Sequence, residues 1–174
     1  ASGDAVMTPA QDVVVGCYYI TTMRDGLLGE GKVYSDRDEA IMAYNNKFIH
    51  LQAKIKLRLE NNEIIETCVG RVIFNKILPK EFGYRNIAFD KKALQSLVRE
   101  SYRAFGLDST AELIDEIKRI GFTYMKQSGI SWGMDDLTVP DTKYGLLAAA
   151  DKEVQTTQEQ FLEGLLTEDE RYGR

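Results

Sequence analysis

The 174-residue chain holds one histidine, two cysteines, one tryptophan and three prolines, and each scarcity removes a class of chemistry. With His50 alone, neither a histidine pair nor a histidine-rich metal site can be built. Any Ser or Cys nucleophile would depend on that single imidazole. Nothing in the sequence marks Cys17, Cys68 or a serine as its partner, so His50 reads as a structural or surface residue. The two cysteines give neither a zinc spacing nor a disulfide framework, which points to a reduced, intracellular setting. Apolar runs such as Val13-Val14-Val15 fall far short of the roughly 20 residues that span a bilayer. The opening Ala1-Ser2-Gly3-Asp4 has no initiator methionine and no charged or apolar leader. A cytoplasmic protein without a membrane contact is expected. An excess of basic residues is missing too. Lys and Arg number 22 against 27 Asp and Glu, a net charge of −5, which argues against a free-standing nucleic-acid binder. It leaves open a part of a larger machine whose nucleic-acid contacts lie elsewhere.

What is present is enough for an ordered core: 44% of residues are hydrophobic and 28% charged. The length allows one compact domain or two small ones. Residues 1–10 read as a polar lead-in. From Gln11 to Thr22 the run QDVVVGCYYITT has the composition of a strand, but Asp12 could also cap a short buried helix, and periodicity does not decide. Gly26, Gly29 and Gly31 mark a turn before a short strand at Lys32–Tyr34. Ser35 as N-cap with Asp38 three residues on opens a helix through Ile41, Met42 and Tyr44. Strict alternation over Ala53–Leu59, a turn at Asn61-Asn62, and Ile64, Ile65 and Val69 predict a β-hairpin. Helices are predicted from Lys91 to Phe105, ended by Gly106, and from Ser109 onward, with Leu113, Ile114, Ile117 and Ile120 inward and Gly121 interrupting or ending it. Residues 128–139 are irregular. A long polar helix from Pro140 to about Leu162, a stop at Gly164 and a further helix from Thr167 complete an α+β chain, mixed in its first half and mostly helical in its second.

Several patterns invite a chemical reading. Gly26 to Lys32 has the G-x-x-x-x-G-K spacing of a phosphate-binding loop, but Val33 follows where a Ser or Thr must bind magnesium, and no helix opens there. It reads as a turn entering a strand. Asp135-Asp136 could share a hard cation, yet no further ligand spacing surrounds them, and a capping or turn role fits better. Lys54, Lys56 and Arg58 on one strand face could meet phosphates but read more simply as solvated surface. The acidic helix between 151 and 170 could bind a partner. Residue chemistry alone therefore assigns no catalytic and no metal-binding residue, and it leaves a free-standing acidic α+β interaction module as one reading.

A resemblance adds to this. Thr8-Pro9-Ala10-Gln11-Asp12-Val13-Val14-Val15-Gly16 with Tyr18-Tyr19-Ile20-Thr21 resembles a stretch of the bacterial RNA polymerase beta-prime (largest) subunit, shortly after its metal-binding aspartate motif. Val69-Gly70-Arg71-Val72-Ile73-Phe74-Asn75, Leu78-Pro79, Lys91-Lys92-Ala93-Leu94, Gly121-Phe122-Thr123-Tyr124, Ser128-Gly129-Ile130-Ser131, Gly133-Met134-Asp135-Asp136-Leu137 and Gly164-Leu165-Leu166-Thr167-Glu168 with Glu170-Arg171-Tyr172 continue the likeness in order. It implies a pore region at 1–75 and a funnel region at 76–174. In that family these line the secondary channel, where nucleotides enter and the RNA 3′ end is extruded.

The resemblance implies that Gln11, Asp12, Arg71, Asp135 and Asp136 face the channel, Gln11 nearest the catalytic centre. It also implies that residues 146–172 form a first rim helix and turn, where Glu168, Glu170, Arg171 and Tyr172 dock transcript-cleavage and related factors. The expected partners are the polymerase beta and alpha subunits, the rest of beta-prime, nucleotides and RNA. Magnesium is the parent's cofactor, held by aspartates upstream of this stretch. The sequence departs from the family at Trp132, where a smaller apolar residue is expected, and at Gly173-Arg174, where the family runs on into a return helix.

Overall fold

The computed structural model describes residues 8–173; most of the expected lead-in, 1–7, and Arg174 lie outside the described residues. The fold is α+β and forms two compact units, one ending at Ile130 and one beginning at Ser131. In the first unit the order is α1 (Asp12–Thr21), β1 (Val33–Tyr34), α2 (Arg37–Asn45), β2 (Ile55–Arg58), β3 (Ile64–Thr67), α3 (Val69–Asn75) and α4 (Lys91–Ser128). The sheet runs β1-β2-β3, parallel between β1 and β2 and antiparallel between β2 and β3.

The run from Gln11 is a helix, which settles the choice that composition left open. Val13, Gly16, Cys17, Ile20 and Thr21 are all buried. An element covered on two sides with no strand beside it must satisfy its amides internally, which only a helix does. Gln11 rather than Asp12 is the N-cap, at φ 49° and ψ −127° with no side-chain capping bond. Two glycine contacts let α1 lie against its neighbours. A Cβ on Gly16 would collide with the Gly121 carbonyl of α4, and one on Gly70 of α3 would collide with the carbonyl of Ile20. Val13, Cys17 and Ile20 then share one apolar cluster with Phe74, Phe89, Leu94, Leu97, Leu113, Ile117 and Ile120.

Other expectations shift by a residue or two. The α2 cap is Asp36, whose carboxylate accepts from Glu39 N at 2.8 Å, while Glu39 accepts from both the amide and the hydroxyl of Ser35 at 2.7 Å. Ser35 is thus held by the box rather than being its cap. The hairpin is as alternation predicts, with Ile55 and Leu57 buried and Lys56 and Arg58 exposed, but Val69 leaves the second strand and starts α3. The two predicted helices after Lys91 are one element broken at Gly106, which sits at φ 80°, ψ −166°. The second limb starts directly after Gly106 rather than at Ser109, and Thr110 Oγ1 donates to the Gly106 carbonyl at 2.7 Å. Gly121 neither interrupts nor ends that limb, because its place against Val13 requires a bare backbone.

In the second unit α5 (Lys143–Leu162) begins three residues later than Pro140, whose own carbonyl accepts from Lys143 N at 3.0 Å. Gly164, at φ 78°, ends that run. Thr167 and Glu170 then close a capping box on α6 (Glu168–Gly173), with the Glu170 carboxylate 2.7 Å from the Thr167 hydroxyl. Leu147, Ala150, Val154, Thr157 and Phe161 recur along α5 at alternating steps of three and four, the spacing of a coiled-coil seam.

The glycine contacts are testable. Gly70→Ala is expected to lower the stability of the chain by roughly 1–3 kcal/mol, the range of overpacked cores and forced backbone shifts. Gly145→Ala, in α5 with open space around it, is expected to be neutral or to stabilise by up to about 1 kcal/mol. Urea midpoints of the two variants measure the contrast; equal midpoints would mean that α1 does not depend on a bare backbone at Gly70.

Candidate functional site

The last four carbonyls of a helix have no partner inside it, and α1 shows where such groups go. The carbonyl of Tyr18 accepts from Thr22 N at 3.0 Å and Thr22 Oγ1 at 2.7 Å. That of Tyr19 accepts from Gln52 Nε2 at 2.6 Å, that of Ile20 from Cys68 Sγ at 3.7 Å, and that of Thr21 from Arg71 Nε at 2.8 Å. The C-terminal end of α1 therefore stands in a socket of donors from three places in the chain. Gln52 precedes β2, Cys68 caps α3, and Arg71 lies within α3.

Arg71 extends the socket outward. Its Nη1 donates to the Asn86 carbonyl at 3.0 Å and to Asn86 Oδ1 at 2.9 Å, and Asn86 Nδ2 in turn reaches the Glu66 carbonyl of β3 at 2.8 Å. One turn later, Asn75 donates to the Arg85 carbonyl at 2.9 Å and accepts from Arg85 N at 2.7 Å. The amide of Phe89 donates to Thr21 Oγ1 at 2.8 Å. Arg71 is only 8% exposed, and among the described residues it has no carboxylate partner. Its charge is met by neutral acceptors and by the negative end of α1.

The expected channel residues fall into three places. Gln11 and Asp12 are exposed at the N-terminal end of α1, opposite the socket. Arg71 is at the socket itself, its guanidinium engaged with Thr21 and Asn86. Asp135 and Asp136 are exposed in a short 3-10 turn of the second unit, where Asp136 Oδ2 accepts from Gly133 N at 2.7 Å. Among the expected docking residues, Glu170 belongs to the α6 cap. Arg171 lies over the Phe161 ring at 4.5 Å and donates to Glu168 Oε1 at 2.9 Å, and Tyr172 is 94% exposed. Among the described residues no group of three or more His, Cys, Asp or Glu could hold a metal ion. The described residues therefore offer no magnesium site of their own.

The remaining motifs take structural places. The Gly26–Lys32 turn enters β1, and the carboxylate of Glu30 occupies the Gly26 amide at 2.6 Å. His50 accepts from Gln52 N through Nδ1 at 3.2 Å. Lys54 pairs with Asp25, and Lys56 faces Glu66 across the ladder. Trp132 is 74% exposed. Among the described residues no helix is long and apolar enough to cross a membrane. Sequence reasoning missed Gln52, Asn75 and Asn86. Gln52 serves a carbonyl 33 positions away, so no local pattern announces it.

A family model described as RNA polymerase Rpb1, domain 3, matches residues 1–137. Among curated proteins, the DNA-directed RNA polymerase subunit beta' of Desulforamulus reducens is 48% identical over 170 residues, covering 98% of this chain and 14% of its own length. The subunits of the same name from Moorella thermoacetica and Pelotomaculum thermopropionicum are 44% and 43% identical, each over 98% of this chain and over 15% and 14% of their own lengths. The chain thus spans about a seventh of the relatives it matches.

Burial also sets how this unit responds to alkali. Desolvation pushes the Cys17 thiol from its ordinary 9.0 up to about 12. It raises the Tyr84 phenol from 10.0 to about 12, against the hydrogen bond shared with Thr67. Both groups are neutral in the fold and ionise more readily once unfolded. Their contribution is complete below pH 9 and is lost as pH rises from about 9 to about 12. Urea midpoints are therefore expected to fall across that window, and Cys17→Ser or Tyr84→Phe to flatten the fall; a profile unchanged by both would contradict it.

Proposed function

The chain belongs to the family of DNA-directed RNA polymerase beta' subunits, and we propose that within such a subunit it forms a stretch of the secondary-channel wall, through which nucleotides enter and the RNA 3′ end is extruded. The observation that carries this reading is the polarity of α1. One end is fully capped by Gln52, Cys68 and Arg71, and the other presents exposed Gln11 and Asp12. This arrangement anchors α1 at one end and leaves the polar side chains at the other open to a passing ligand.

On this reading the first 75 residues serve the pore and the remainder the funnel, and Asp135 and Asp136 also face the channel. The turn between α5 and α6, with Glu168, Glu170, Arg171 and Tyr172, offers a rim where cleavage and related factors dock. The α5 seam supports such a rim: Val154 and Leu147 remain 66% and 50% exposed, awaiting a partner helix. Beta, alpha and the rest of beta-prime are the proposed neighbours, in the cytoplasm. On this reading the parent's magnesium would be held outside this chain, and these residues contribute walls and orientation.

Two measurements test this. The purified chain, given magnesium, template, primer and nucleotides, is expected not to extend RNA, and extension would overturn the scaffold reading. In a full-length subunit assembled into polymerase, Gln11→Ala is expected to raise the nucleotide KM by roughly 3- to 10-fold, the worth of one ordinary hydrogen bond. An unchanged KM removes Gln11 from the channel.

A further inference from the structure

We propose that Arg71 is a positioning residue for nucleotide entry: from the buried end of α1 it fixes where the exposed end stands. The inference rests on the channel reading above. A ten-residue helix is a stiff rod of about 15 Å, so its two ends move together. Sideways, α1 has no slack, because Gly16 meets the Gly121 carbonyl and Gly70 meets that of Ile20. What remains is sliding along its axis and tilting, and the socket opposes both.

Within the socket the donors are unequal. Gln52 and Cys68 are neutral and each holds one carbonyl. Arg71 is charged, so its bond to Thr21 is of the stronger kind and complements the helix's negative end. It alone of the three bridges α1 to Asn86, and through Asn86 to the carbonyl of Glu66 in β3. Burying a guanidinium with no carboxylate is costly, and an unbranched apolar chain would fill the same volume. The forked donor set accounts for a charge at this place, since divergent bonds to two elements are what a planar guanidinium makes and an ammonium does not.

The test is a double-mutant cycle in polymerase assembled from full-length subunits, reading nucleotide KM and kcat. Arg71→Lys keeps the charge and loses the bridge. It is expected to raise KM by about as much as Gln11→Ala does, roughly 3- to 10-fold, the worth of the one hydrogen bond that α1 would then misplace. In the Gln11→Ala background the same change should add nothing further. Effects on KM that multiply would show Arg71 acting independently of the α1 end and would overturn the proposal, as would a wild-type KM in Arg71→Lys beside a raised KM in Gln11→Ala. A wild-type KM in Gln11→Ala overturns the channel reading itself, and the inference with it. Should the Arg71→Lys enzyme fail to assemble, Asn86→Ala removes only the exposed half of the bridge and takes its place in the cycle under the same criteria.

Discussion

Direct contact between helix backbones is the constraint on which the first unit depends. Where Gly16 lies on Gly121 and Gly70 on Ile20, no side chain separates α1 from α4 or α3. That approach dictates what can stand nearby. Cys17 is fully buried with its thiol facing the Ile117 carbonyl at 3.9 Å, and Thr21 folds its hydroxyl back onto the Cys17 carbonyl at 2.7 Å. Small side chains whose polar atoms reach a nearby backbone group, on their own helix or the facing one, are the ones such a seam admits. The raised thiol of Cys17 is the electrostatic trace of the same closeness, since a site without room for water has little to stabilise a thiolate.

A second consequence concerns the stretch between α3 and α4, which has only a short 3-10 turn of regular structure at Lys80–Phe82. Its backbone groups must find partners outside any ladder, and they find side chains. Asn75 holds Arg85, Arg71 holds Asn86, Thr21 holds Phe89, and Thr67 meets the Tyr84 hydroxyl at 2.8 Å. The polar residues inside this unit thus substitute for secondary structure. Phe89, seated on Phe74 with ring centroids 4.2 Å apart, adds an apolar anchor at the far end of the same stretch.

How much of this could be read from residues alone follows from the range of each interaction. The hairpin was legible because alternation is local, with Ile55 and Leu57 inward and Lys56 and Arg58 outward. The break at Gly106 was legible because only glycine readily takes φ 80° with ψ −166°. The α1 run was ambiguous because burial on two sides erases the amphipathic period that separates helix from strand. The α2 cap slipped by one because Ser35 and Asp36 are both good caps, and the choice depends on which carboxylate turns back. Gln11, Asp12, Arg71, Asp135, Asp136 and the docking residues came from a likeness of motifs, which gave Arg71 a place facing the channel and not its bond to α1. The socket could come from neither source. Its acceptors are backbone carbonyls, which every residue carries, and its donors stand 33 to 50 positions away.

The close seating of α1 also governs how such a chain can change length as lineages diverge. One residue inserted between Asp12 and Thr21 would turn everything beyond it by about 100°. That would carry Gly16 off Gly121, or Thr21 off the guanidinium that holds it. No single compensating substitution restores both. The exposed turn at Asn61-Asn62 bears no such load, whereas the turn from Gly26 to Gly31 is free only at its ends, for a Cβ at Gly29 would strike Ile49. A change of length is therefore tolerated by geometry at an exposed turn such as Asn61-Asn62, and not between Gly16 and Thr21 of α1, where two contacts must keep one register.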